Sequence, residues 1–154
     1  MAYTVSLLIH SYLRWVVVVL GVVVLVRSLS GWRANRAWEP ADNRAQVSFV
    51  SALDIQMLVG LVMYFALSPV TAAFLAGPKA AMKDSQLRFF GVEHQFAMLL
   101  GVVVVHAFRS IGKKKVDGAR HRFTAIGMLI WVVLLLAAMP WPGTAHGRPF
   151  FRGL

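Results

Sequence analysis

The sequence predicts an all-helical integral membrane protein, a single four-helix bundle of antiparallel up-down topology with both termini on the outer side. Three observations predict it. Four long apolar blocks divide the 154 residues, all six prolines lie outside those blocks, and the basic residues are sorted unevenly between the connecting segments. The chain is 58% hydrophobic and 14% charged, which excludes intrinsic disorder. It contains no cysteine. That excludes a disulfide framework, a thiolate metal site and covalent c-type haem attachment.

The first block, Val5–Val26, has 22 residues. At 1.5 Å per residue it measures about 33 Å, enough for a hydrocarbon core of about 30 Å. It is interrupted only by His10 and Arg14. The preceding residues lack a basic n-region, so the block reads as a retained helix rather than a signal peptide. A basic connection, 27–46, leads to the second block, 47–67, which carries Asp54 and Gln56. The semi-polar connection 68–88 has room for a short interfacial helix over the bundle mouth. The third block, 89–108, carries Glu93, His94, Gln95 and His106. After a second basic connection, 109–122, the fourth block, 123–139, is uncharged and 17 residues long, the shortest acceptable span. A tail, 140–154, follows.

No block shows the alternation of a transmembrane barrel strand. The prolines interrupt no helical hydrogen bond. Gly21, Gly60, Gly101 and Gly127 place at least one small residue inside every block, where it favours close helix packing.

Ten basic residues fall in the two connections on one side: Arg27, Arg33, Arg36, Arg44, Arg109, Lys113, Lys114, Lys115, Arg120 and Arg122. Five fall on the other: Lys79, Lys83, Arg88, Arg148 and Arg152. The positive-inside rule therefore directs both termini outward. The net charge of +10 reports topology, not a nucleic-acid partner. The expected partner is the lipid bilayer.

Ionisable residues at mid-membrane cost roughly 2.5–3.5 kcal/mol each, so those retained need a reason. His10 and His94 each lie five residues inside the outer end of their blocks. Two imidazoles at matched depth on different helices suit one haem iron, and without cysteine a non-covalent b-type haem (heme b) is the natural candidate. The plainer alternative is that each histidine hydrogen-bonds a neighbouring helix. Gly91, His94, Met98 and Gly101 share a helical stripe, with Met98 the alternative axial ligand on that face. Arg14 has two readings of equal weight, a partner for a haem propionate or an ion pair with Asp54. Arg88, at the outer mouth, is a better-placed propionate partner. Tyr64 either lines the pocket or belongs to an interfacial aromatic belt. His106 and His121 form a second candidate haem pair. His106 lies twelve residues from His94, about 18 Å along the axis but rotated by about 120°, so a second haem needs a different helix pair. His121 and His146 also read as loop histidines.

The stretches His10-Ser11-Tyr12-Leu13-Arg14-Trp15 and Arg88-Phe89-Phe90-Gly91-Val92-Glu93-His94, with Met98, His106, Arg120-His121-Arg122 and Met139-Pro140-Trp141-Pro142, resemble small bacterial four-helix membrane cytochromes b. There is a looser likeness to cytochrome b561, which has six helices. The resemblance covers nearly the whole chain. It implies a haem-bearing electron-transfer protein in the bacterial inner membrane, with termini on the periplasmic side. His10, His94, His106 and His121 are its natural ligands, and a quinone or another redox subunit its partner, within a larger complex or a homo-oligomer.

The competing expectation is a cofactor-free structural or assembly subunit held by an Arg14–Asp54 pair. A proton-coupled transporter is weaker, since four helices offer no inverted repeat. An independent enzyme is not expected: no nucleotide loop, nucleophile elbow or zinc-protease motif is present.

Overall fold

The computed structural model describes residues 1–151, so Arg152 of the outer basic set lies outside the described residues. No strand occurs among them. Four helices are long and apolar enough to cross a membrane, spanning Ala2–Arg33, Pro40–Leu67, Ser85–Lys113 and Asp117–Ala138.

Helix α1 (Ala2–Arg33) and helix α2 (Pro40–Val62) extend well beyond their apolar blocks. The expected loop 27–46 is therefore mostly helix, and only residues 34–39 join the two. Hydropathy marks where a helix is greasy, not where it ends; the ends are set by caps. Asn35 takes a left-handed conformation (φ 45°), with Arg36 N–H donating to Gly31 O at 2.9 Å and Asn35 N–H to Trp32 O at 3.3 Å. This double bond closes α1 as a Schellman turn. Glu39 and Asp42 form a reciprocal capping box around Pro40, which opens α2.

The connection 68–88 holds three short helices, α3 (Pro69–Ala76), α4 (Pro78–Ala81) and α5 (Ser85–Arg88). Helix α6 (His94–Lys113) follows, then α7 (Asp117–Ala138). Two π-helical turns interrupt the long spans. Met63–Leu67 continues α2, and Phe89–Glu93 links α5 to α6.

Helix α1 packs along α2 and α7, and α7 packs along α6, whereas α2 and α6 meet only sparsely. The core between them centres on Phe49 and Trp131, edge to face at 4.9 Å, with Val17, Val24, Leu53, Val105 and Met128 around them. A Cβ at Gly21 would lie 2.6 Å from the Trp131 ring, so only glycine admits that indole. Large apolar residues such as Val19, Leu58 and Val133 are more than half exposed on the outside, as a lipid-facing surface requires.

At the end where α1 joins α2, buried Asp42 accepts from Arg27 Nε at 2.8 Å and from Arg36 Nη2 at 2.9 Å. The hydrogen bond from Arg36 to Asp42 raises the pKa of that guanidinium above its ordinary value. His121 is fully buried beside this pair, 4.8 Å from the Trp38 ring, and Arg120 covers the other part of that indole at 4.2 Å. His121 is thus a packed histidine, not an exposed loop residue. At the opposite end the tail folds back over the helices. Phe150 O accepts from both Arg14 Nη2 (2.9 Å) and Trp15 Nε1 (3.0 Å), and His146, expected as a free loop residue, stacks on Phe89 at 3.7 Å.

Candidate functional site

A cleft opens between α1, α2, α6 and α7 at the tail end, containing about 1310 Å³ of space when its open mouth is included. His10, Arg14, Gln56, His94, Met98 and Arg148 contribute to its lining.

His10 sits on α1 against Gly60 of α2. A Cβ there would lie 3.2 Å from His10 Cε1, so glycine lets the imidazole lean on the neighbouring helix. One turn earlier on α2, Gln56 Nε2 donates to the His10 backbone carbonyl at 3.0 Å, which pins α2 to α1 at the level of the histidine. The His10 Nδ1 is buried and has no hydrogen-bond partner. An orphaned imidazole nitrogen in so dry a place is costly unless something else satisfies the ring.

His94 begins α6 directly after the π turn Phe89–Glu93. A π turn carries one residue more than an α turn and so rotates the following face by about 100°. That rotation brings His94 toward α1 and α7. Its Nδ1 lies 2.8 Å from Ala138 O. A carbonyl only accepts, so Nδ1 carries the proton and the Nε2 lone pair is left available. This is the arrangement expected of a ligating histidine, whose other nitrogen donates to a backbone carbonyl. The two π turns are tied together: Tyr64 Oη donates to Gly91 O at 2.8 Å, and Thr71 Oγ1 donates to Tyr64 O at 2.7 Å.

The His10 and His94 rings lie 6.4 Å apart, centre to centre, at 69° to one another. Two metal–imidazole bonds of about 2.0 Å, extended to the ring centres, require roughly 6.2 Å across a shared ion. The observed pair meets that spacing. Among the described residues no group of three or more His, Asp or Glu gathers as for a bare ion. Two imidazoles therefore suit an ion whose remaining ligands come from a cofactor.

Several sequence expectations find other places. Asp54 does not pair with Arg14; its Oδ1 lies 2.8 Å from His106 Nε2. Depth along a helix, on which the Arg14–Asp54 pair rested, says nothing of azimuth. Arg88 is taken by Glu93 at 2.7 Å and does not line the cleft. Tyr64 supports the π turns from outside it. Gly91, expected beside a porphyrin edge, is instead filled by the Phe74 ring. His106 and His121 are not brought together: one bonds Asp54, and the other lies under Trp38. Arg148 was missed because it lies in the tail, where no periodicity marks a return to the helices; its guanidinium lies 4.9 Å over Phe90. Gln56 and Gln95 line the cleft as well, and a glutamine inside an apolar block is the one signal that could have found them.

No family model, curated protein or solved structure matches the chain.

Proposed function

We propose that the chain is a membrane-embedded b-type cytochrome, an antiparallel four-helix bundle of the bacterial inner membrane with outward termini, that holds one haem between His10 and His94 and passes electrons within a membrane redox chain. The observation that carries this reading is the facing pair of imidazoles at 6.4 Å, one with a free Nε2 and the other with a buried, unpartnered nitrogen. Bound there, haem supplies reversible one-electron exchange, and ligation from both faces leaves no open iron position for oxygen chemistry.

The residues of the chain do the rest. Ala138 O fixes the His94 tautomer, and Gly60 and Gln56 hold His10 in register. Arg14 and Arg148 bring positive charge to the cleft lining, as anionic propionates require. Trp131, Leu134 and Leu135 keep the deeper wall apolar. The electron partner is a lipid-soluble quinone or another redox subunit. The uneven basic residues support the orientation.

The test is the absorption spectrum of purified protein with a pyridine haemochrome assay. A Soret band that shifts on reduction is expected, lost in His10→Ala and His94→Ala and kept in His106→Ala. A protein without the band, or a band lost only with His106, overturns the reading.

A further inference from the structure

The Asp54–His106 contact lies outside the histidine cleft, between α2 and α6, the two long helices that pack least against each other. It is a short bond, yet the side chains remain 43% and 44% exposed. In a spanning helix such a pair is expected to face the interior, not lipid. Asp54 also lies near the middle of its span, 14 residues from Pro40 and 13 from Leu67, about 20 Å from either end. Among the described residues neither side chain has a second partner, so Asp54 Oδ2 and His106 Nδ1 keep unused hydrogen-bonding capacity.

The flanks are apolar. One and two turns beyond Asp54 stand Leu58 (62% exposed) and Val62 (54%). On α6, Val103 (54%) and Leu99 (52%) continue the face of His106. A polar pair thus ends a greasy channel at mid-membrane. Charged lipid head groups stay at the interface and do not reach that depth. A neutral ring bearing two oxygens on an apolar tail does. Because His106 Nε2 faces the carboxylate, Nδ1 accepts from a hydroxyl when the ring is neutral and donates to a carbonyl when it is protonated. One atom therefore serves both redox forms of such a carrier. Leu53 and Met57, which flank Asp54 on α2, and Val102, one turn before His106, also line the histidine cleft, so the two sites share walls.

We propose that the Asp54–His106 pair and the apolar channel between α2 and α6 bind the head group and tail of a lipid-soluble quinone, entering sideways from the bilayer. The choice of a redox carrier as occupant rests on the electron-transfer reading above.

The experiment uses the full chain in lipid nanodiscs, with decylubiquinone as probe. Leu58→Trp places a fluorophore in the channel, and Leu136→Trp on α7 gives a lipid-exposed control. Saturable quenching at position 58, against linear partition quenching at 136, is expected. In the Leu58→Trp background, His106→Ala and Asp54→Asn weaken the apparent Kd by about tenfold or more, as loss of a charge-assisted hydrogen bond implies, and leave the Soret band unchanged. Linear quenching at both positions overturns the proposal, as does a Kd unmoved by the two substitutions in folded protein. If those variants do not fold, the comparison of positions 58 and 136 decides with the native pair intact. The chain has no cysteine, so Val103→Cys gives a clean cross-linking probe. Disulfide formation between two copies that quinone does not suppress assigns the channel to a homodimer and overturns the proposal. The haem reading fails by a missing band and this one by missing saturation, so the two failures are distinct.

Discussion

At the level of single residues, Gly60 has the most leverage. A methyl group there would stand 3.2 Å from His10 Cε1, and a branched side chain has no room at all. Gly60→Val is expected to push the imidazole off its position and lower haem occupancy several-fold, read as the ratio of Soret to protein absorbance, while the helical circular dichroism holds. His10 and His94 could be read from the chain because histidine inside an apolar block is rare and their depths match. What depth hides is direction around the helix. Asp54 and Arg14 share a level without sharing a face, so the expected ion pair gave way to Asp54–His106. Glu93, five residues from Arg88, captured the arginine expected at the mouth. Such local competition is invisible when residues are weighed one at a time.

Among the elements, the joint between α1 and α2 carries the clearest prediction. Buried Asp42 gathers Arg27, Arg36 and the Glu39 N–H. Asp42→Asn leaves two guanidinium groups facing each other without their common counter-charge and is expected to cost about 3 kcal/mol. An unfolding titration in denaturing detergent, followed by circular dichroism, measures it; a change under 0.5 kcal/mol would mean that solvent screens the cluster. The four apolar helices could be anticipated from the sequence, since each block is long enough to cross a bilayer. Their true ends could not, because Arg27, Arg33 and Arg44 continue the helices as readily as valine does. The π turns escaped as well. Ser68 N–H reaches back five residues to Met63 O at 2.8 Å, and no periodicity argument built on 3.6 residues per turn registers one extra residue.

Over the whole molecule, the helices enclose space unevenly: α7 is the most deeply packed of the four, and α2 and α6 leave a seam. The cleft also depends on a segment outside every long helix. Phe150 and Phe151 pack on Trp15, and Gln86 Nε2 donates to Ala145 O at 3.3 Å, so the tail spans from α1 to the segment just before α6. A chain shortened after Pro142 is expected to keep its helix content but release haem several-fold faster to a soluble haem-binding acceptor. An unchanged release rate would separate the tail from the cleft. The tail read as a loop because its contacts are all distant in sequence; the hydrogen bond from Arg14 to Phe150 crosses 136 positions.

That placement has a consequence for assembly. Ribosomal synthesis delivers α1 first and the tail only after α7, so both imidazoles are in the membrane before Phe150 exists to meet Trp15. The cleft stays open at one end until translation has passed the last long helix. A cofactor arriving during biogenesis finds an uncovered doorway, and one arriving afterwards must first displace two phenylalanines.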